Sequence, residues 1–278
     1  MNWSRLWLVG EFTLDAPLRI AAGYGLAMDT KGQPIIPGST FRGALRTYVE
    51  SVLRGFNQRD EDRTVTLRGQ DGRPVSVARK VALCCDSTDK RDDDLNYQGC
   101  LTPAIVAKWE VDPLLRSRLD SALVECTCQL CRLFGTAWLA GRVFVPDLSA
   151  VAWAGAEQAR SGVALSRDRD VTIPGSLYQR SAIPAGARFT FRLVAENVTP
   201  AEQGMLMLGI RAFETGLINL GADRSRGFGG GHLSVDWWNC RYLDSTNLIG
   251  SMLGLEPQAF SKTDADAALK ALAAHLGR

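Results

Sequence analysis

Histidine is almost missing from this chain: His232 and His275 are the only two. That scarcity argues against a ribonuclease built on histidine acid–base chemistry and against a Cys–His nucleophile pair. No stretch approaches the roughly 18 consecutive apolar residues that a membrane span requires. Met1 to Gly10 has neither the basic start nor the long apolar run of an export signal. The expectation is a cytoplasmic protein with no membrane partner. A strong excess of either charge is missing too, with 32 Lys+Arg against 30 Asp+Glu, so no global field announces a polyanionic partner. An even set of cysteines is also missing. There are seven, and five of them sit in two tight groups, which in a cytosolic chain favours metal ligation over disulfides.

What is present is ordinary in bulk and uneven in detail. Of 278 residues, 46% are hydrophobic and 22% charged, which suits one enlarged domain or two small ones, with enough apolar material for a substantial core. Arginines gather at Arg42, Arg46 and Arg54, at Arg167 and Arg169, and at Arg224 and Arg226, while acids crowd between Asp86 and Asp94. Local patches of this kind matter more for phosphate binding than the total charge.

Patterning places a strand over Leu6 to Leu14 and a glycine-bearing loop over Ala21 to Pro37. A helix follows, capped by Ser39 or Thr40, with Leu45, Val49, Val52 and Leu53 at helical spacing and a stop near Gly55. From Phe56 to about Glu125 the pattern is irregular, polar and cysteine-bearing, as in an insertion, with a helix expected over Pro113 to Val124. Strand character returns from Leu133 to Trp153. Val163 to Ala185 mixes charge, proline and glycine like an exposed hairpin arm. Arg188 to Ala195 alternates cleanly as a half-buried strand. A second helix runs from Thr199 or Pro200 through Ile218, the run Arg224 to Gly231 is a glycine loop, Leu233 to Trp238 is a final strand, and Ala265 to Leu276 a terminal helix. Without its insertions the order is strand, helix, strands, helix, strand. That is the split βαβ arrangement of an α+β, ferredoxin-like or RNA-recognition-type fold.

Two segments suit a polyanion. Pro34 to Gly43 reads PIIPGSTFRG: two prolines stiffen the approach, Gly38 permits close backbone contact, and a helix start carries free amides and partial positive charge. Arg42 and Arg46, one turn apart, add charge. The plain alternative is a turn with an N-cap. Gly221 to Gly231 reads GADRSRGFGGG, so an extended chain could lie on bare backbone, with Arg224 and Arg226 on phosphates and Phe228 stacking on a base. A dinucleotide fingerprint is excluded by order, since this loop follows a helix and precedes a strand. A flexible hairpin is the bland alternative.

The cysteines are Cys84, Cys85, Cys100, Cys126, Cys128, Cys131 and Cys240. Cys128 to Cys131 is a C-x2-C knuckle, the spacing by which two thiolates grip one tetrahedral ion. Cys85 and Cys100 are the expected partners in a structural Zn2+ site, with Cys84 and Cys126 as alternatives. A redox pair and simple buried cysteines are the rivals. Cys240 stands apart as a packing residue.

Four segments taken in order resemble the RAMP superfamily, the repeat-associated proteins of CRISPR systems. They are PIIPGSTFRGALR at 34–46, CRLFGTAWLAGRVFVPD at 131–147, GVALSRDRD to GSLYQRSAIPAGARFTF within 162–191, and LGADRSRGFGGGHL at 220–233. The first and last are broad features of the superfamily. The middle two look like the backbone subunit of type III effector complexes, in a variant with a cysteine-bearing insertion. The resemblance implies a single RAMP domain over 1–278, with a zinc-binding insertion at 56–131, a thumb hairpin at 163–186 and a C-terminal extension at 245–278.

It further implies a guide-RNA-binding subunit that assembles with copies of itself and with other effector subunits, and that meets target RNA through base pairing to the guide. Guide contacts would come from Ser39, Thr40, Arg42 and Arg46 and from Arg224, Arg226, Gly227, Phe228 and Gly229, with Arg167, Arg169 or Tyr178 at the thumb's tip. Backbone contact explains acceptance of any guide sequence. Relatives of this type cut target RNA at intervals of about six nucleotides, using a loop aspartate with Mg2+ or another divalent metal. In that position the chain offers Asp29, which serves either as the catalytic aspartate, orienting or deprotonating the attacking 2′-hydroxyl or holding the metal, or as a turn former. Two further readings are a non-catalytic scaffold and a stand-alone guide-processing endoribonuclease; the scarcity of histidine counts against the latter.

Overall fold

Strand β1 (Ser4–Leu14) shows how the pattern becomes a layer. Its even positions Ser4, Leu6, Leu8, Phe12 and Leu14 are buried, and the odd ones are half-exposed, because successive side chains in a strand point to opposite faces. The computed structural model describes residues 3–22, 25–56, 61–68, 74–81, 84–85, 111, 123–124, 127–162, 178–253 and 258–277, of which 21–22, 61–68, 74–81 and 252 are described as backbone alone.

In chain order the elements begin with β1, β2 (Ala21–Ala22), β3 (Gly25–Leu26), β4 (Ile35–Ile36) and helix α1 (Gly38–Gly55). A hairpin β5 (Glu61–Arg68) and β6 (Pro74–Val81) and a short helix α2 (Gln129–Phe134) follow. Next come β7 (Val143–Phe144), β8 (Leu148–Ala152), β9 (Gln158–Gly162), β10 (Tyr178–Ala182), β11 (Arg188–Glu196) and helix α3 (Pro200–Glu214). The chain closes with a 3-10 turn at Arg224–Arg226, β12 (Gly231–Val235), β13 (Arg241–Asp244), α4 (Leu248–Met252), β14 (Gln258–Ala259) and α5 (Lys262–His275).

The main sheet has eight strands in the order β14-β13-β1-β11-β8-β4, with β12 also on β1 and β7 also on β11. The pairings are antiparallel, with Phe12 opposite Phe189 in β11 and Phe12 opposite Leu233 in β12. Taken alone, β12, β1, β11 and β8 with crossovers α1 and α3 form the arrangement expected from the pattern. The molecule is α+β with a mostly antiparallel sheet, consistent with a ferredoxin-like core. Helices α1 and α3 cover one face. Phe41 stacks on Phe213 with centroids 4.1 Å apart, and Phe12 meets both rings edge-on at 6.1 and 6.0 Å. Helix α5 lies on α3 through buried Ala265, Ala268 and Leu272. Among the described residues, no helix is long and apolar enough to cross a membrane.

Four sequence expectations are corrected. Neither Ser39 nor Thr40 caps α1: the cap position is Pro37, and the Gly38 amide donates to Asp147 Oδ1 at 2.8 Å. A carboxylate brought from the loop before β8 thus sits at the positive end of the helix. Helix α3 stops at Glu214 instead of Ile218, because Gly216 takes φ +69°. Its start is a capping box, in which Thr199 Oγ1 accepts from Glu202 N and Glu202 accepts from Thr199 N. The strand expected over Leu233 to Trp238 covers Gly231–Val235, and two further strands follow it. The terminal helix begins three residues early, at Lys262, through a second capping box of Ser261 and Asp264. Between α1 and α2, β5 and β6 pair as a regular hairpin, whereas most of the expected insertion, including nearly all of the helix expected over 113–124, lies outside the described residues. Strands β9 and β10 pair from Gly162↔Tyr178 to Gln158↔Ala182 as a two-stranded arm, and residues 163–177, the greater part of the expected thumb, lie outside the described residues.

Candidate nucleic-acid interface

Helix α1 has three working sides. Phe41, Leu45, Val49 and Leu53 face the core. Thr40, Ala44 and Tyr48 line a cleft of about 600 Å³ whose far wall carries Asn219, Ala222 and Arg224, with Arg19 at its edge. The first motif and the glycine loop, nearly two hundred residues apart in sequence, therefore form two walls of one groove. Thr40 is half-buried and Ser39 beside it exposed.

One acid of the glycine loop gathers three arginines. Asp223 adopts the left-handed conformation at φ 60° and its side chain is only 12% exposed. Its Oδ1 accepts from Arg180 and from Arg226 Nη1, the latter at 2.9 Å, and its Oδ2 faces Arg19 Nη1 at 3.6 Å. Arg224 next to it is exposed. Tyr178 joins the cluster: the guanidinium of Arg180 lies 4.6 Å and that of Arg226 5.9 Å from its ring centroid. The ring packs over Gly162 of β9, where any side chain would strike it. Across the same hairpin Arg160 and Arg180 are direct neighbours. Such a like-charge pair is unfavourable alone; here Arg180 is satisfied by Asp223 and Arg160 lies 5.4 Å above the Phe228 ring.

The expected contact residues divide. Thr40, Arg224 and Arg226 gather around the cleft and its arginine cluster. Arg42 and Arg46 point to the other flank of α1, where Arg42 donates to Phe134 O and Arg46 Nη1 to Gly135 O at 3.0 Å, holding the carbonyl end of α2. Burial, and then the neighbouring charge of Arg46, lower the pKa of Arg42. Phe228 is 4% exposed, so it packs under the arm and is not free to stack on a base. Gly229 is buried against Leu220 and presents no open backbone, while Gly227 is exposed. Tyr178 pairs with Gly162 in the β9–β10 ladder, and residues 163–177 beyond that pair lie outside the described residues. Arg167 and Arg169 lie outside the described residues. His232 shares the Asp15 carboxylate at 3.0 Å. Asp29 holds a tight turn: its Oδ1 accepts from the amides of Lys31 and Gln33, each at 2.8 Å, and its own amide donates to Gln33 O.

The cysteines form a second centre behind α1. Cys85, Cys128 and Cys131 are buried with their sulfurs all within 4.8 Å of one another, and Cys85 Sγ lies 3.5 Å from Cys131 Sγ. Thiolates at about 2.3 Å from a tetrahedral ion stand roughly 3.8 Å apart, so this cluster could hold a metal. Cys128 accepts from the Cys131 amide at 3.3 Å, and Arg46 Nη2 reaches Cys131 Sγ at 3.2 Å. Cys84 is buried beside them. Burial first, then Cys128, Cys85 and Glu50, push its thiol pKa up; a bound cation would reverse that balance. Cys100 and Cys126 lie outside the described residues. Cys240 is buried and packs against β1, as expected.

Arg19, Arg160, Arg180 and Asp223 went unnoticed in the sequence. One signal was available: Tyr178 and Arg180 are two apart on a strand and so share a face. The convergence of Arg19 on Asp223 has no local signature.

A search of curated proteins finds none that matches this chain. The family model described as RAMP superfamily matches residues 11–230, a span that runs from β1 through both cleft walls to the end of the glycine loop. With the antiparallel α+β core and the converging motifs in place, the chain belongs to the RAMP superfamily, a family of CRISPR-associated RNA-binding proteins.

Proposed function

We propose that this protein is a guide-RNA-binding backbone subunit of a type III CRISPR interference complex, gripping the sugar–phosphate track in the cleft between α1 and the glycine loop. The observation that carries this reading is the meeting of Thr40 and Arg224 across one groove, with the Asp223 arginines at its end. Hydroxyls and guanidinium groups suit phosphate and ribose without reading bases. Its partners are guide RNA, target RNA paired to that guide, further copies of the chain and other effector subunits. The test is titration of labelled single-stranded RNAs of unrelated sequence with purified protein. Affinities should agree between sequences and fall about fiftyfold from roughly 50 to 200 mM salt, as four phosphate contacts to a single strand would give. Arg224→Gln should cost about tenfold at the low end. No binding at low salt would overturn the reading.

The cysteine cluster supports a structural zinc ion, which would tie the segment at Cys84 and Cys85 to α2 and, through Arg46, to α1. Elemental analysis should give one zinc per chain, and Cys131→Ser should remove it along with the thiolate absorption of the cobalt-substituted form. Retention of full metal content in that variant would move the site elsewhere.

For Asp29 the two amide bonds favour the turn role over target cutting with Mg2+. Asp29→Asn keeps an oxygen for both amides and removes only the charge, so it separates the roles. We expect unchanged RNA affinity and unchanged cleavage of a guide-paired target in the assembled complex. Loss of cuts at the regular spacing, with binding intact, would restore Asp29 to catalysis.

A further inference from the structure

Asp223 is an odd residue to find in an RNA-binding loop, since a carboxylate repels phosphate. It is also strained, as a non-glycine residue in the left-handed region, and largely buried. Three guanidinium groups from three separate parts of the chain converge on it: Arg19 after β1, Arg180 on the arm and Arg226 in the glycine loop. Three cations share one anion, so the cluster stays positive. Each arginine has five donors and spends only one or two on Asp223. Arg226 remains 53% exposed and Arg19 33%, leaving donors that face solvent beside the cleft. No other acid is within ion-pair reach of these three arginines among the described residues.

We propose that Asp223 is the positioning residue of the RNA cleft, gathering Arg19, Arg180 and Arg226 into a fixed array that receives consecutive phosphates and locks the base of the arm to the glycine loop. This rests on the RNA-binding reading above and names the device that makes the cleft an ordered site. Without the carboxylate the three guanidinium groups repel one another and their long side chains disperse. An array assembled in advance spares that ordering cost when RNA arrives.

The test exploits a conflict of signs. Asp223→Asn removes a negative charge beside three arginines, and asparagine tolerates the left-handed backbone. Charge counting alone therefore predicts tighter RNA binding. Positioning predicts weaker binding: about tenfold at roughly 50 mM salt, with a salt slope shallower by about one, on a labelled oligouridylate. The thermal midpoint is read alongside. Arg180→Gln, which leaves the carboxylate in place, should move affinity and slope in the same direction and covers the case in which Asp223→Asn does not fold. If the unaltered protein binds no RNA, the functional reading fails and this proposal with it. If it binds and a folded Asp223→Asn binds as tightly or more tightly, or Arg180→Gln binds unchanged, the positioning role alone is overturned.

Discussion

Replacing Gly229 with alanine is expected to destabilise the protein by about 3 kcal/mol or more, combining an overpacking cost with a left-handed backbone cost. A Cβ at this position would stand 1.8 Å from the carbonyl oxygen of Leu220, and the residue's φ is +79°. The neighbour is backbone that cannot yield: Leu220 N donates to Gly229 O, and Gly229 N donates to Pro17 O, both at 2.8 Å. The glycine therefore serves the return of the loop onto β1 and not an open approach for RNA. Denaturant unfolding followed by circular dichroism should show a lower midpoint with an unchanged slope. Gly227→Ala makes the contrast. It also has positive φ but nothing within 4 Å, so only the conformational cost of about 1 kcal/mol should be seen. Equal losses at both positions would remove the steric argument.

Phe41→Ala should cost a further class of energy, about 3 to 5 kcal/mol, from lost burial and the cavity left behind. The ring is fully buried, stacked on Phe213 at 4.1 Å, tilted against Phe191 at 5.1 Å and edge-on to Phe12. It sits between Thr40, which faces the cleft, and Arg42, which faces α2. Loss of this anchor should therefore weaken RNA binding as well as stability. Phe41→Leu, which refills much of the space, should recover most of both. A destabilisation under about 1 kcal/mol on Phe41→Ala would mean that the aromatic cluster relaxes to fill the gap, against the usual cost of core truncation.

The fold was legible where periodicity was strong. The alternation in β1 and β11 and the helical spacing in α1 and α3 located the sheet and its cover, because burial of one face is what those periods encode. The two cleft walls were legible as motifs, and their meeting followed from the topology. What escaped were long-range polar links. Asp147 caps a helix 109 residues away, and no local spacing announces it. Arg42 and Arg46 were assigned to RNA because, one turn apart, they add charge beside the helix start that carries Ser39 and Thr40. Yet consecutive positions on a helix diverge by about 100°, and only the packed neighbour decides which flank faces solvent. Phe228 read as free because glycines surround it, although Arg160 and the arm cover it. The cysteine knuckle was legible from spacing, and Cys85 stands with Cys128 and Cys131 in one buried cluster that could hold a metal.

Helix α1 is also an axle. Arg42 and Arg46 act as spokes on one side, fastened to the end of α2, and Thr40 and Tyr48 ride on the other. Side-chain tips stand about 5 to 6 Å from a helix axis, so a roll of roughly ten degrees displaces them by about 1 Å. Hydrogen bonds hold their strength over only about half an ångström. Through Arg46, which reaches both Gly135 O and Cys131 Sγ, the thiol cluster behind the helix is thus tied to the rotational phase of the cleft surface in front.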